Sequence, residues 1–115
     1  MSIAKQDRSK QVDQVLAGLA AQRGVTAAAI VDSDGFVVHV RRDFEIDTDA
    51  LGAGVQVVFS SAARAAKQAA QGTTSLVLTE NTEGLVMLVP LASGFVLALL
   101  ADKTRCSARS ATRRA

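Results

Sequence analysis

The chain contains no Trp and no Tyr, and its chemically versatile side chains are few: one Cys, one His and one Pro in 115 residues. A lone cysteine forms no internal disulfide, so this is not a stapled secreted scaffold. One His and one Cys cannot supply the three or four soft ligands of a zinc site. His39 lies far in sequence from Cys106, and no Ser/His/Asp or Cys/His set for nucleophilic catalysis can be assembled. The only aromatics are four phenylalanines, none interleaved with Arg or Lys as in a base-stacking platform. Phosphate loops are missing too, since neither Gly-x-x-x-x-Gly-Lys-Ser/Thr nor Gly-x-Gly-x-x-Gly occurs. No catalytic, cofactor-binding or metal-binding residue is therefore expected, and no specific nucleic-acid partner.

What is present suits one folded domain. Hydrophobic residues make up 49% and charged residues 21%, a balance that argues against disorder. A chain of this length buries roughly two thirds of the surface its unfolded form exposes. Charge is unevenly placed. Residues 103–115 hold Lys103, Arg105, Arg109, Arg113 and Arg114 with no acid, which leaves eight basic and eleven acidic groups elsewhere, a net −3. Such a tail could touch nucleic acid or anionic lipid, although a solvated terminus explains it as well. Lys5, Asp7, Arg8 and Lys10 precede any apolar run, so no secretory signal is expected. The stretch from Gly84 to Ala101 has no charge, yet Pro90 and Ser93-Gly94 interrupt it and its valines favour strands. Two buried strands and a tight turn fit it better than a membrane span. The expected location is cytoplasmic.

Periodicity orders the elements. Val12, Val15, Leu16 and Leu19 recur at helical spacing within Ser9 to Arg23, after a short arm over residues 1–8. Ala27 to Val31 and Phe36 to Val40 flank Asp32-Ser33-Asp34-Gly35, and Asp-Gly there predicts a hairpin turn with positive φ at both residues. A long Ala-rich helix runs from about Thr48 to Gln71, capped by Asp47 or Thr48 and ended by Gly72. Three strands follow, at Ser75–Glu80, Leu85–Val89 and Phe95–Ala101. The last two are apolar at nearly every position, which implies helices on both faces of the sheet. His39, by alternation, shares a face with Val37 and Arg41 and reads as a surface residue. The acids Asp43, Glu45, Asp47 and Asp49 read as turn and cap chemistry, since a calcium loop needs more oxygen ligands.

The long helix is the most informative element. Leu51, Val55, Val58, Phe59, Ala62, Ala66 and Ala69 form the stripe expected to face the sheet. Beside it runs a line of mostly small residues: Ala50, Gly54, Val57, Ser61, Ala65 and Gln68. Small residues let two helices approach closely, so this line predicts contact with a second copy. The strand at Ser75–Glu80 has no Pro and no blunting inward charge, so as an edge it needs a partner; Leu76 and Leu78 complete the expected dimer interface. The remaining helix face, Gln56, Ser60, Arg64 and Lys67, is polar and free for solvent or a partner.

The element order and the segments Gly24–Val38, Gly84–Leu91 and Phe95–Asp102 resemble the roadblock (dynein light-chain) domain family over residues 9–102. The resemblance implies an α+β sandwich of profilin-like topology, a five-stranded antiparallel sheet with helices on both faces in the order α-β-β-α-β-β-β(-α). It implies a dimer through the second helix and third strand, without catalytic residues. It also implies a bacterial type of scaffold or regulator of small Ras-like GTPases, a GTPase-activating role included, which would meet Gln56, Ser60, Arg64 and Lys67 of the paired helices. One departure is visible: family members usually end in an amphipathic helix, whereas Thr104–Ala115 lacks a large apolar face. A small-molecule sensor is the rival reading, and it needs a cavity with convergent polar groups. The strands offer few polar residues beyond Thr79 and His39.

Overall fold

Turn chemistry and apolar runs give five strands: β1 (Val25–Val31), β2 (Val37–Arg42), β3 (Val77–Glu80), β4 (Gly84–Pro90) and β5 (Val96–Asp102). Helix α1 (Ser2–Ala20) precedes them, and α2 (Thr48–Gln68) lies between β2 and β3. The computed structural model describes the backbone of residues 2–102 and the side chains of residues 10–102. The basic segment 103–115, with Cys106 and any final helix, lies outside the described residues. Strand order is β2-β1-β5-β4-β3, every neighbouring pair antiparallel. The uncharged run near the C-terminus is thus the β4–β5 hairpin, turned by Leu91–Phe95 with Leu91 N–H donating to Phe95 O at 2.7 Å.

Alternation sorts the two faces. Val31, Val96, Ala98 and Leu88 join Val55 of α2 in one buried cluster, with Val37, Val77, Val86 and Leu100 against it. Ala28 and Ile30 point the other way, where α1 packs across β1 and β2. Consecutive alanines 27, 28 and 29 are all fully buried, so β1 is covered on both faces and its small side chains let both helices sit close.

Four local expectations need correction. Helix α1 starts at Ser2, so residues 2–8 extend the helix instead of forming an arm, and it ends at Ala20. Within it Val12, Leu16 and Leu19 meet the sheet, but Val15 is 62% exposed on the flank. The hairpin turn has positive φ only at Gly35; Asp32 Oδ1 accepts from the amides of Asp34 (3.0 Å) and Phe36 (2.9 Å), an Asx turn rather than a two-residue loop. A bulge follows: Ile30 faces His39 while Val31 faces Val37, leaving Val38 unpaired. That extra residue turns His39 to the α1 face and Val37 to the α2 face. His39 Nδ1 lies 3.0 Å from Asp13 Oδ1 of α1, whose carboxylate accepts the ring N–H, and the imidazole is half-buried rather than solvated.

Candidate partner-binding surface

Helix α2 is fastened at four points. Asp47 is its N-cap, its Oδ1 accepting from Ala50 N–H at 3.1 Å, with Asp49 in the first turn where the helix dipole favours an acid. Gly52 is buried directly on the β1–β2 turn, and any Cβ there would overlap the Gly35 carbonyl oxygen. Gln56 Nε2 donates to the carbonyl oxygens of Asp32 (2.7 Å) and Gly94 (3.3 Å), tying the helix to both turns at that end of the sheet. The C-terminus closes on Ala70 in the left-handed region (φ 58), with Gln71 N–H on Ala66 O (2.9 Å) and Ala70 N–H on Lys67 O (3.1 Å). This is a Schellman closure, two residues before the glycine expected to end the helix.

These anchors fix which faces remain open. Leu51, Val55, Phe59, Ala62 and Ala66 turn inward as the spacing predicted, whereas Val58 on the shoulder is 41% exposed and Ala69 lies past the helix. Every member of the lateral line, Ala50, Gly54, Val57, Ser61, Ala65 and Gln68, is exposed, Val57 at 65%. Val57 and Val58 make that flank more apolar than a line of small residues alone. Of the predicted polar face, Ser60, Arg64 and Lys67 are exposed. Gln56 is not free: its amide is used on the two turns, so it positions the helix rather than offering itself outward.

Among the described residues the sheet has two uncovered edges, β2 and β3, and they differ. β2 carries Arg41 and Arg42 and the Val38 bulge, devices that discourage strand addition. β3 is regular but begins at Val77, two residues later than the Ser75 start expected; Leu78 within it is 55% exposed and Leu76, just before it, 50%. Leu76, Leu78 and the flank of α2 therefore leave the subunit open along one side. Of the acids in the β2–α2 connection, Asp47 caps α2 and the exposed Glu45 lies 3.8 Å from Arg42.

Grooves along Val40–Glu45 and between Ala62, Ala66 and Thr73–Leu78 are both open to solvent. The polar strand residues are engaged internally, His39 with Asp13 and Thr79 with Asn81, whose Nδ2 lies 3.4 Å from the Thr79 hydroxyl. No group of three or more His, Cys, Asp or Glu placed to hold a metal is found among the described residues. No helix among them is long and apolar enough to cross a membrane.

An antiparallel five-stranded sheet with a helix on each face defines an α+β sandwich. The Roadblock/LC7 domain model matches residues 11–101, and the chain belongs to that family. Among solved structures it is similar to a Roadblock/LC7 domain from Streptomyces avermitilis, at 25% identity and TM-score 0.71 over 78% of this chain and 77% of that one. It shares its fold with MglB of Myxococcus xanthus (17% identity, TM-score 0.74, 80% and 76% covered). The gliding protein MglB of Thermus thermophilus is a further neighbour in fold (18%, TM-score 0.71, 79% and 70%). No curated protein matches the chain.

Proposed function

We propose that this domain is a non-catalytic homodimeric scaffold or regulator that binds a small Ras-like GTPase through the outer faces of its paired α2 helices. Family membership supports the partner class. The observation that carries the choice of surface is the pair Arg64 and Lys67, exposed one turn apart on α2 with no acidic partner among the described residues. Unpaired cations on a rigid, four-point-anchored helix suit recognition of an acidic surface, and the Arg guanidinium can take a carboxylate bidentately. Ser60 adds a hydroxyl on the same face. Self-pairing through the α2 flank and β3 would place two such faces side by side.

The test is binding of purified small GTPases from the same genome, loaded with either nucleotide. The R64E/K67E double variant is expected to weaken the complex by roughly tenfold or more, since like charges then meet at the contact. Its mass in solution should stay that of the parent. Undiminished binding by the variant would remove this face from the reading, and the absence of any GTPase complex with the parent would remove the partner class.

A further inference from the structure

The two faces of the sheet are covered unequally. Toward α2, Leu88, Val96 and Ala98 are fully buried. On the opposite face the register sets Ile30 and Ala28 beside Leu97 and Leu99, these beside Val89 and Met87, and Met87 beside Leu78. There Leu97, Leu99, Val89 and Met87 are all part-exposed, and Leu78 is exposed. Helix α1 packs across β1 and β2, where His39 holds its Asp13. With Val12, Leu16 and Leu19 turned to the sheet, Asp13 and Val15 project from opposite flanks of α1. Val15, 62% exposed, therefore overlooks β5. The result is an apolar trough with Val15 on its wall and β5, β4 and β3 as its floor.

β4 and β5 have a strand on either side, so their backbone groups are used within the sheet. A segment lying on this floor must satisfy its own backbone, which a helix does. Three strands about 4.8 Å apart give a floor about 14 Å wide, room for one helix with its side chains. Residues 103–115 have only Cys106, Ala108, Ala111 and Ala115 as apolar side chains, too small to fill a floor of leucines. Their chemistry is instead cationic: Lys103, Arg105, Arg109, Arg113 and Arg114 outnumber the acids Glu80, Glu83 and Asp102 near that end of the sheet. The segment follows Asp102, which pairs with Gly84 at one end of the trough. Extended, it reaches about 40 Å, the full length of the trough. We propose that this face receives an acidic amphipathic helix of a partner protein. Its apolar stripe would lie on Leu97, Leu99, Met87 and Val89 against Val15, and acids on its outer side would meet the cations of residues 103–115. The face lies opposite α2, so this site is separate from the one proposed for a GTPase and stands or falls independently of it.

The probes are two fluorescent peptides of about 18 residues, five helical turns, each with a Leu stripe and with either Glu or Lys elsewhere. The full chain is expected to bind the Leu/Glu peptide, and the Leu/Lys peptide roughly tenfold more weakly. V15N on the wall and M87N on the floor should each raise the Kd of the Leu/Glu peptide roughly fivefold or more at unchanged helix content. The triple variant R105E/R109E/R113E should weaken it as well without altering the floor. Val15 is exposed, so V15N keeps the test in force should M87N fail to fold. No binding of the Leu/Glu peptide, equal affinity for both peptides, or undiminished binding by V15N overturns the proposal. An internal disulfide between Cys106 and the thiol of V15C, at unchanged mass, would seat residues 103–115 in the trough instead. A fall in native mass for M87N would give the face to a second copy. Either of these results overturns the partner helix.

Discussion

Position 52 sets a steric limit that helix propensity alone would hide. Alanine is better than glycine in a helix interior by about 1 kcal/mol, so Gly52→Ala should stabilise α2 if nothing stood nearby. Here a methyl group would overlap the Gly35 carbonyl oxygen and come within 3.3 Å of Val37 Cγ2. The turn cannot easily retreat, because Asp32 holds it through two amides and Gln56 holds Asp32 in turn. Helix α2 must lift instead, at the expense of Val55 in the core cluster. Overpacking of this kind costs about 1–3 kcal/mol, and against backbone it should fall at the upper end and outweigh the propensity gain. G52A is thus expected to unfold at lower denaturant by about 2 kcal/mol, and a stabilised variant would show the contact to be loose. Gly52 could not be singled out beforehand. A glycine in an Ala-rich helix is a small residue among small residues until the turn packs onto it.

The ends and irregularities of the elements carry the next prediction. Ala70 sits at φ 58, where an L side chain crowds the following carbonyl at a cost of roughly 1 kcal/mol or more, partly offset by the chain entropy a glycine adds to the unfolded state. Ala70→Gly is therefore expected to raise stability by about 0.5–1 kcal/mol, read as a rise in melting temperature with unchanged helix content. The existence and order of the strands, the β4–β5 hairpin and the Asp47 cap were legible because each has its own local signal. The Val38 bulge was not, and it moved Val37 off the face assigned to His39 while leaving Arg41 there. One unpaired residue shifts a period-two pattern by one, and no side chain in Val37-Val38-His39 announces it. Val15 and Val58 escaped for a related reason. A helical stripe gives the direction of burial, while the width of the sheet beneath decides which shoulder is covered. Gln56 likewise read as surface because its two acceptors, the carbonyls of Asp32 and Gly94, come from turns distant in sequence.

At the scale of the molecule, α2 separates two tasks that a charge swap and a charge insertion can tell apart. Its inward stripe is spent on the sheet, its flank with Val57 and Ser61 is apolar and open, and its outer face carries Arg64 and Lys67. Replacing Val57 and Ser61 together by Arg touches neither the core nor the four anchors. The folded subunit should therefore keep its melting transition to within a few degrees, as surface changes usually do. In a two-fold interface, however, each substitution occurs twice, so four guanidinium groups would crowd one contact. Interfaces of standard size, about 1,600 Å² in total, hold only a modest surplus over the cost of association, and like charges buried at the centre exceed it. The V57R/S61R variant is expected to elute as a single 12.0 kDa chain where the parent shows twice that mass by light scattering. Its affinity for the partner should fall with the loss of the composite surface, although Arg64 and Lys67 are intact. R64E/K67E should give the reverse pattern, parental mass with weak binding. If both double variants lowered binding equally while the mass of V57R/S61R stayed dimeric, flank and outer face would be one partner surface, and the dimer would have to form elsewhere on the molecule.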